Sequence, residues 1–160
     1  MIMKLEVLIG KFSAAVGIEN VPAVEGVWKF SADGNVFGVT GDETGETVWL
    51  FGEVPYVDPE KKDALLKAAM EANYFHRGTG GATFSLNPET GALTLIASAK
   101  LDALGEEDFF AFVEKFVNAL ATWKGISAEA GTVRNDSSVT SPADSLADQP
   151  IPFNFGFMRV

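Results

Sequence analysis

The chain has 160 residues, enough for one domain with a real core, and its hydrophobic fraction of 47% fits a folded globule rather than a disordered chain. It contains no cysteine, which removes disulfides, thiolate zinc sites and cysteine nucleophiles together. Its formal charge of −10 would repel a phosphate backbone, and no apolar run approaches the roughly 18–20 residues of a membrane span, so neither nucleic acid nor membrane insertion is expected.

The start, Met1-Ile2-Met3-Lys4-Leu5-Glu6, is charged early and lacks an apolar stretch followed by a small-residue cleavage site, which makes the cytoplasm the expected compartment. Leu5, Leu8, Ile9, Phe12 and Val16 then form an amphipathic stripe, which predicts a helix over 4–17 stopped by Gly17. Three strand-like runs follow. Val24–Ser31 ends at the turn signal Ala32-Asp33-Gly34-Asn35, Asn35–Thr40 comes next, and Glu46–Val54 follows Gly41-Asp42-Glu43-Thr44-Gly45. Connections this short and polar predict an antiparallel meander.

Asp58-Pro59-Glu60 reads as an N-cap, a proline at the first helical position and an acid in the first turn, so a helix is expected from there to about Tyr74. It carries Leu65, Ala68, Ala69 and Ala72 on one side and Leu66 and Met70 on another. Such a helix needs two surfaces to bury against, as a central core helix or as one that also meets another subunit. Gly81–Asn87 and Ala92–Ala99 predict two more strands, joined by the turn Asn87-Pro88-Glu89-Thr90-Gly91. The last helix begins after Gly105, with Glu106, Glu107 and Asp108 at its positive dipole end. Its stripe is Phe109, Phe112, Val113, Phe116, Leu120 and Trp123.

The expected order is α-βββ-α-ββ-α, an α+β domain over residues 1–126 with an antiparallel sheet packed against helices. Residues 127–150, rich in Ser, Thr, Asp, Ala and Gly, read as a flexible linker. In the closing segment 151–160, Phe153, Phe155 and Phe157 alternate as in a strand. That pattern suits a strand docked on the chain's own sheet edge or on a neighbouring subunit, where it would occupy a groove until a client displaces it; a disordered tail or a plain extra edge strand is the alternative.

Catalytic chemistry finds little support. His76 is the only histidine, no Gly-x-Ser-x-Gly pattern accompanies it, and a histidine at the end of a helix suits the negative dipole there. Gly78-Thr79-Gly80-Gly81 follows a helix and precedes a strand, the reverse of a phosphate loop, so it reads as a helix exit. Glu106-Glu107-Asp108 fan out around a helix and do not converge. No enzyme, cofactor or metal site is therefore expected. The chain does carry 13 Phe and 3 Trp, more than three helices and a small sheet easily enclose. Exposed members would mark a binding surface.

The resemblance that organises these observations lies in Asn73-Tyr74-Phe75, Thr79-Gly80-Gly81-Ala82-Thr83-Phe84-Ser85-Leu86 and Pro88-Glu89-Thr90-Gly91-Ala92-Leu93-Thr94-Leu95. These segments are similar to the central signature of type III secretion chaperones of the Tir-chaperone (CesT) family. Leu50-Phe51-Gly52-Glu53-Val54-Pro55 and the helix Leu65–Asn73 resemble the same family's third strand and second helix. The likeness covers roughly residues 3–125. It implies a homodimer that holds the N-terminal segment of a secreted effector in extended, export-competent form, without ATP. Ile9, Phe12, Trp28, Phe30, Phe37, Trp49 and Phe51 are the pool expected to contain the client surface. Leu66, Met70, Tyr74 and Phe84 are the expected dimer contacts. The competing reading is a regulatory or scaffolding module of the same fold that binds one folded partner and serves no export.

Overall fold

The computed structural model describes residues 2–18, 22–130 and 157–159. The elements are α1 (Ile2–Ala15), β1 (Val27–Ala32), β2 (Asn35–Gly41), β3 (Thr47–Val54), α2 (Lys62–Asn73), β4 (Thr83–Leu86), β5 (Leu93–Lys100), α3 (Glu106–Ala130) and β6 (Phe157–Arg159). Single 3-10 turns at Pro59–Lys61, Tyr74–His76 and Leu101–Ala103 flank the helices. The strands form one sheet in the order β4-β5-β3-β2-β1-β6. The α+β architecture and the α-βββ-α-ββ-α order stand as expected, with β6 added at the edge.

Local chemistry sets most of the boundaries. Gly17, at φ 76°, ends α1 in a Schellman motif: the Ile18 amide donates to the Ser13 carbonyl (2.8 Å) and the Gly17 amide to Ala14 (3.3 Å). Asp33 and Gly34 both take positive φ, the two-residue turn whose twist matches the flanking strands, and β1 pairs with β2 in the register Phe30↔Phe37. Asp58 accepts from the Glu60 amide (3.0 Å) ahead of Pro59, as its N-cap role requires. The Asn87 side chain accepts from the Glu89 and Thr90 amides, so the β4–β5 turn is an Asx turn closed by Gly91 at φ 71°. Asp108 reaches back from the first turn of α3 to the Gly105 amide (3.2 Å), half of a capping box.

The chain falls into two compact units. The first takes residues up to Gly52, Ala97–Val117 and β6. Its core is aromatic: Phe12 of α1 meets Phe30 and Phe109 edge-to-face at 5.5 and 6.2 Å, Phe30 stacks on Phe37 at 5.6 Å, and Phe37 meets Phe116. The second takes Glu53–Ile96 and α3 from Asn118 on. There Leu65, Ala69 and Ala72 of α2, Phe84 of β4, and Leu120 and Trp123 of α3 are buried.

Two details depart from the linear reading. Helix α3 continues to Ala130, four residues into the stretch whose composition suggested a linker from 127. Ser127 is buried there and donates to the Pro55 carbonyl, a tertiary contact that composition does not reveal. Of the C-terminal segment, residues 157–159 pair antiparallel with β1 in the register Ala32↔Phe157 to Phe30↔Arg159. Phe153 and Phe155 lie outside the described residues, as does the rest of the 131–156 stretch.

Candidate functional site

In the first unit, β3 alternates. Val48 and Leu50 are buried, while Trp49 keeps 40% of its surface and Phe51 is half-buried. These two share the opposite face because side chains alternate along a strand. Thr40 pairs with Trp49 and Gly38 with Phe51 across the strand boundary. The Phe51 ring lies directly over Gly38, where a Cβ would come within 2.3 Å of it, so only glycine admits the ring at that position. Val36, two residues before Gly38 on the same face, is also exposed. The result is an apolar strip of Val36, Phe51 and Trp49 on the open face of the β2–β3 pair.

Of the seven residues in the predicted client pool, only Trp49 and Phe51 reach that surface. Ile9, Phe12, Trp28, Phe30 and Phe37 are interior residues, with Phe30 fully enclosed and Ile9 and Phe37 nearly so. The aromatic interlock between α1, the strands and α3 takes up Phe12, Phe30 and Phe37, whereas Trp28, 7% exposed, lines a cleft beside Leu5 of α1. Val36 was missed from sequence, although its alternation with Gly38 and Thr40 was available as a signal.

In the second unit, Leu66, Met70 and Tyr74 stand four residues apart, one row along α2 and its final turn. Leu66 is half-buried, whereas Met70 and Tyr74 expose 67% and 66% of their surfaces. Phe75, at 73% exposed, extends the row. Its ring meets Tyr74 edge-to-face at 4.6 Å, and the Arg77 guanidinium lies 5.8 Å from its centroid. The fourth expected contact, Phe84, is instead buried against Trp123 (4.7 Å between centroids, 77° between planes) and belongs to the unit's core.

The chain reverses after Tyr74 through a strained backbone at Phe75 and His76. Phe75 and His76 both adopt φ near +50°, a conformation that costs non-glycine residues energy and persists only when the surroundings enforce it. The enforcing contacts are visible. The Gly78 amide donates to the Ala72 carbonyl (3.2 Å), and His76 Nδ1–H and the Thr79 hydroxyl both donate to the Ala82 carbonyl. His76 is therefore a clip on the chain reversal after α2, and the 78–81 glycine stretch is the exit from the helix.

Asn73 completes the reversal. Its Oδ1 accepts from the Phe84 amide at 2.7 Å and its Nδ2 donates to the Phe84 carbonyl at 3.1 Å, so one side chain satisfies both backbone groups of a β4 residue. Asn73→Ala is expected to cost about 1–3 kcal/mol of stability by leaving these groups unpaired. Urea denaturation followed by circular dichroism would show this as a lower midpoint at unchanged slope, and an unaltered midpoint would mean that water replaces the amide without loss.

Among the described residues, no three His, Asp or Glu side chains converge as a metal site would require, and no helix is long and apolar enough to cross a membrane. What the two units offer chemically is apolar, partly aromatic surface set in an acidic molecule, the equipment of a protein-binding module of the α+β class. The model of the Tir chaperone protein (CesT) family matches residues 7–124, and the chain belongs to that family. No curated protein sequence matches it. Among solved structures it is similar to a chain of the HopA1–SchA chaperone–effector complex, with 14% identity and a TM-score of 0.63 over 78% of this chain and 95% of that one. The ExsC–ExsE complex gives 17% identity and 0.63 over 79% and 95%. The ExoT–SpcS complex from Pseudomonas aeruginosa gives 17% and 0.56 over 72% and 93%.

Proposed function

We propose that this protein is a cytoplasmic, non-enzymatic chaperone of type III secretion that binds the N-terminal segment of a secreted effector and keeps it extended for export. The observation that carries the reading is the family match across residues 7–124, which takes in β1 to β5 and α2 whole and most of α1 and α3. Similarity to a chain of the HopA1–SchA chaperone–effector complex supports it. So does the Val36–Phe51–Trp49 strip, an exposed apolar surface on which an extended segment could bury alternate side chains. The protein acts as a homodimer in this reading, with the Leu66–Met70–Tyr74 row of α2 facing its counterpart.

The test is recovery of the tagged full-length chain from its native cell under secretion-inducing conditions, with the bound segment mapped by limited proteolysis. One dominant partner, held through a protease-sensitive N-terminal stretch, is the expected result. A compact, protease-resistant partner would overturn it in favour of a scaffolding module. Trp49→Glu is expected to lower capture by roughly tenfold or more while the circular dichroism spectrum stays unchanged, since a half-exposed aromatic anchor is lost but no core residue is touched.

A further inference from the structure

The first unit also contains a concave feature, and its chemistry differs from that of the strip. A cleft of about 240 Å³ is floored by Leu5, Trp28 and Leu101, and Glu25, Asp42 and Glu43 stand at its rim. Its volume is below that of pockets for drug-sized ligands and suits one or two apolar side chains. Resting on the chaperone reading above, we propose that this cleft selects the client: it takes an apolar side chain of an extended segment that is flanked by Lys or Arg.

The charge argument is local. Among the described residues the ion pairs are Lys11–Glu106, Lys67–Glu71 and Lys100–Glu46, so none of the three rim carboxylates is neutralised. Desolvation acts to raise the Asp42 carboxyl, but hydrogen bonds from Thr47, Thr44 and the Glu46 amide outweigh it and bring it from 3.8 down to about 2. It is ionised at neutral pH. The nearby Lys4 ammonium is engaged with the Leu101 carbonyl. Three carboxylates around an apolar floor favour a cationic neighbour to the entering side chain and repel an acidic one.

The rim is also held in place. Glu25 sits at φ 52° and Gly26 at 78°, in the tight turn between the bridged residues Val24 and Val27. Asn, Asp or Gly is the low-strain choice at that first position, and a glutamate there is an outlier of the kind that clusters at ligand sites. Thr40 Oγ1 donates to the Gly26 carbonyl at 2.9 Å and ties the turn to β2. A rim fixed before binding loses less entropy when a partner arrives.

The test uses the full-length, ¹⁵N-labelled protein and three blocked heptapeptides, Gly-Ser-X-Leu-X-Ser-Gly with X as Lys or Glu, and Gly-Ser-Lys-Gly-Lys-Ser-Gly. The Lys-Leu-Lys peptide is expected to shift the Trp28 indole resonance and the Gly26 and Gly41 amides. The Glu-Leu-Glu and Lys-Gly-Lys peptides should bind roughly tenfold more weakly or worse. Glu25→Gln with Glu43→Gln, both at exposed positions, should weaken Lys-Leu-Lys binding several-fold and reduce its salt dependence. Equal binding of the Lys and Glu peptides, shifts centred on the Trp49 indole, or no binding would overturn the proposal. Capture of the cellular client separates the two readings. Undiminished capture by the double variant sinks the cleft and spares the chaperone function, whereas selective peptide binding without any captured client does the opposite.

Discussion

Replacing Trp123 by Ala is expected to leave the protein largely unfolded at room temperature. The indole is fully enclosed in the second unit, packs edge-to-face on Phe84, and donates from Nε1 to the Gly78 carbonyl at 2.8 Å. Truncation removes the ring and leaves a cavity, which costs about 3–5 kcal/mol for a buried aromatic. It also leaves a buried carbonyl unpaired, worth a further ~1–3 kcal/mol. Against a total stability of about 5–15 kcal/mol, that loss is decisive for a small domain. Trp123→Phe keeps most of the packing and loses only the donor, so it should fold with a moderately lower urea midpoint. Circular dichroism resolves the two. A Trp123→Ala protein with a native midpoint would show that the indole is not a keystone of this unit.

Met70→Glu combined with Tyr74→Glu is expected to convert a dimer into a folded monomer. Both side chains are about two-thirds exposed in the protomer, so the substitutions cost the isolated chain little. In a two-fold interface every residue occurs twice, so two substitutions bring four carboxylates into one apolar patch, where unpaired charge is strongly disfavoured. Sedimentation equilibrium reads the outcome. A wild-type dimer and a variant monomer with an unchanged melting curve establish the Leu66–Met70–Tyr74 row as the interface, and a variant dimer excludes it. Phe84→Ala serves as the contrast. Because Phe84 is buried against Trp123, its truncation should lower the melting temperature rather than split subunits selectively.

Much of this molecule could be read without coordinates because the relevant forces are local. Asp33-Gly34, Gly17 and the Asn87–Gly91 turn announce their conformations through side-chain hydrogen bonds and permitted φ angles, which act over a few residues. The stripes of α1 and α3 follow from helical geometry alone. The family signature is largely this same punctuation together with Asn73, whose two hydrogen bonds to Phe84 give its place in the signature a physical reason.

The surface was harder to read. Period-two alternation says that Trp49 and Phe51 oppose Val48 and Leu50, but not which of the two faces is covered. That was decided by Phe12 of α1 and Phe116 of α3 closing over Phe30 and Phe37, which took three of the seven candidate client residues into the aromatic core, while Trp28 came to line the cleft. The same limit hid the fate of Phe84, because its partner Trp123 is far along the chain. It also hid the strained reversal at Phe75 and His76, which depends on the Ala72 and Ala82 carbonyls being in place. The sequence by itself determined the order of elements, their turns and the family. Only the tertiary structure decided which apolar side chains were spent on the core and which remained for partners, because burial is settled by contacts between residues distant in sequence.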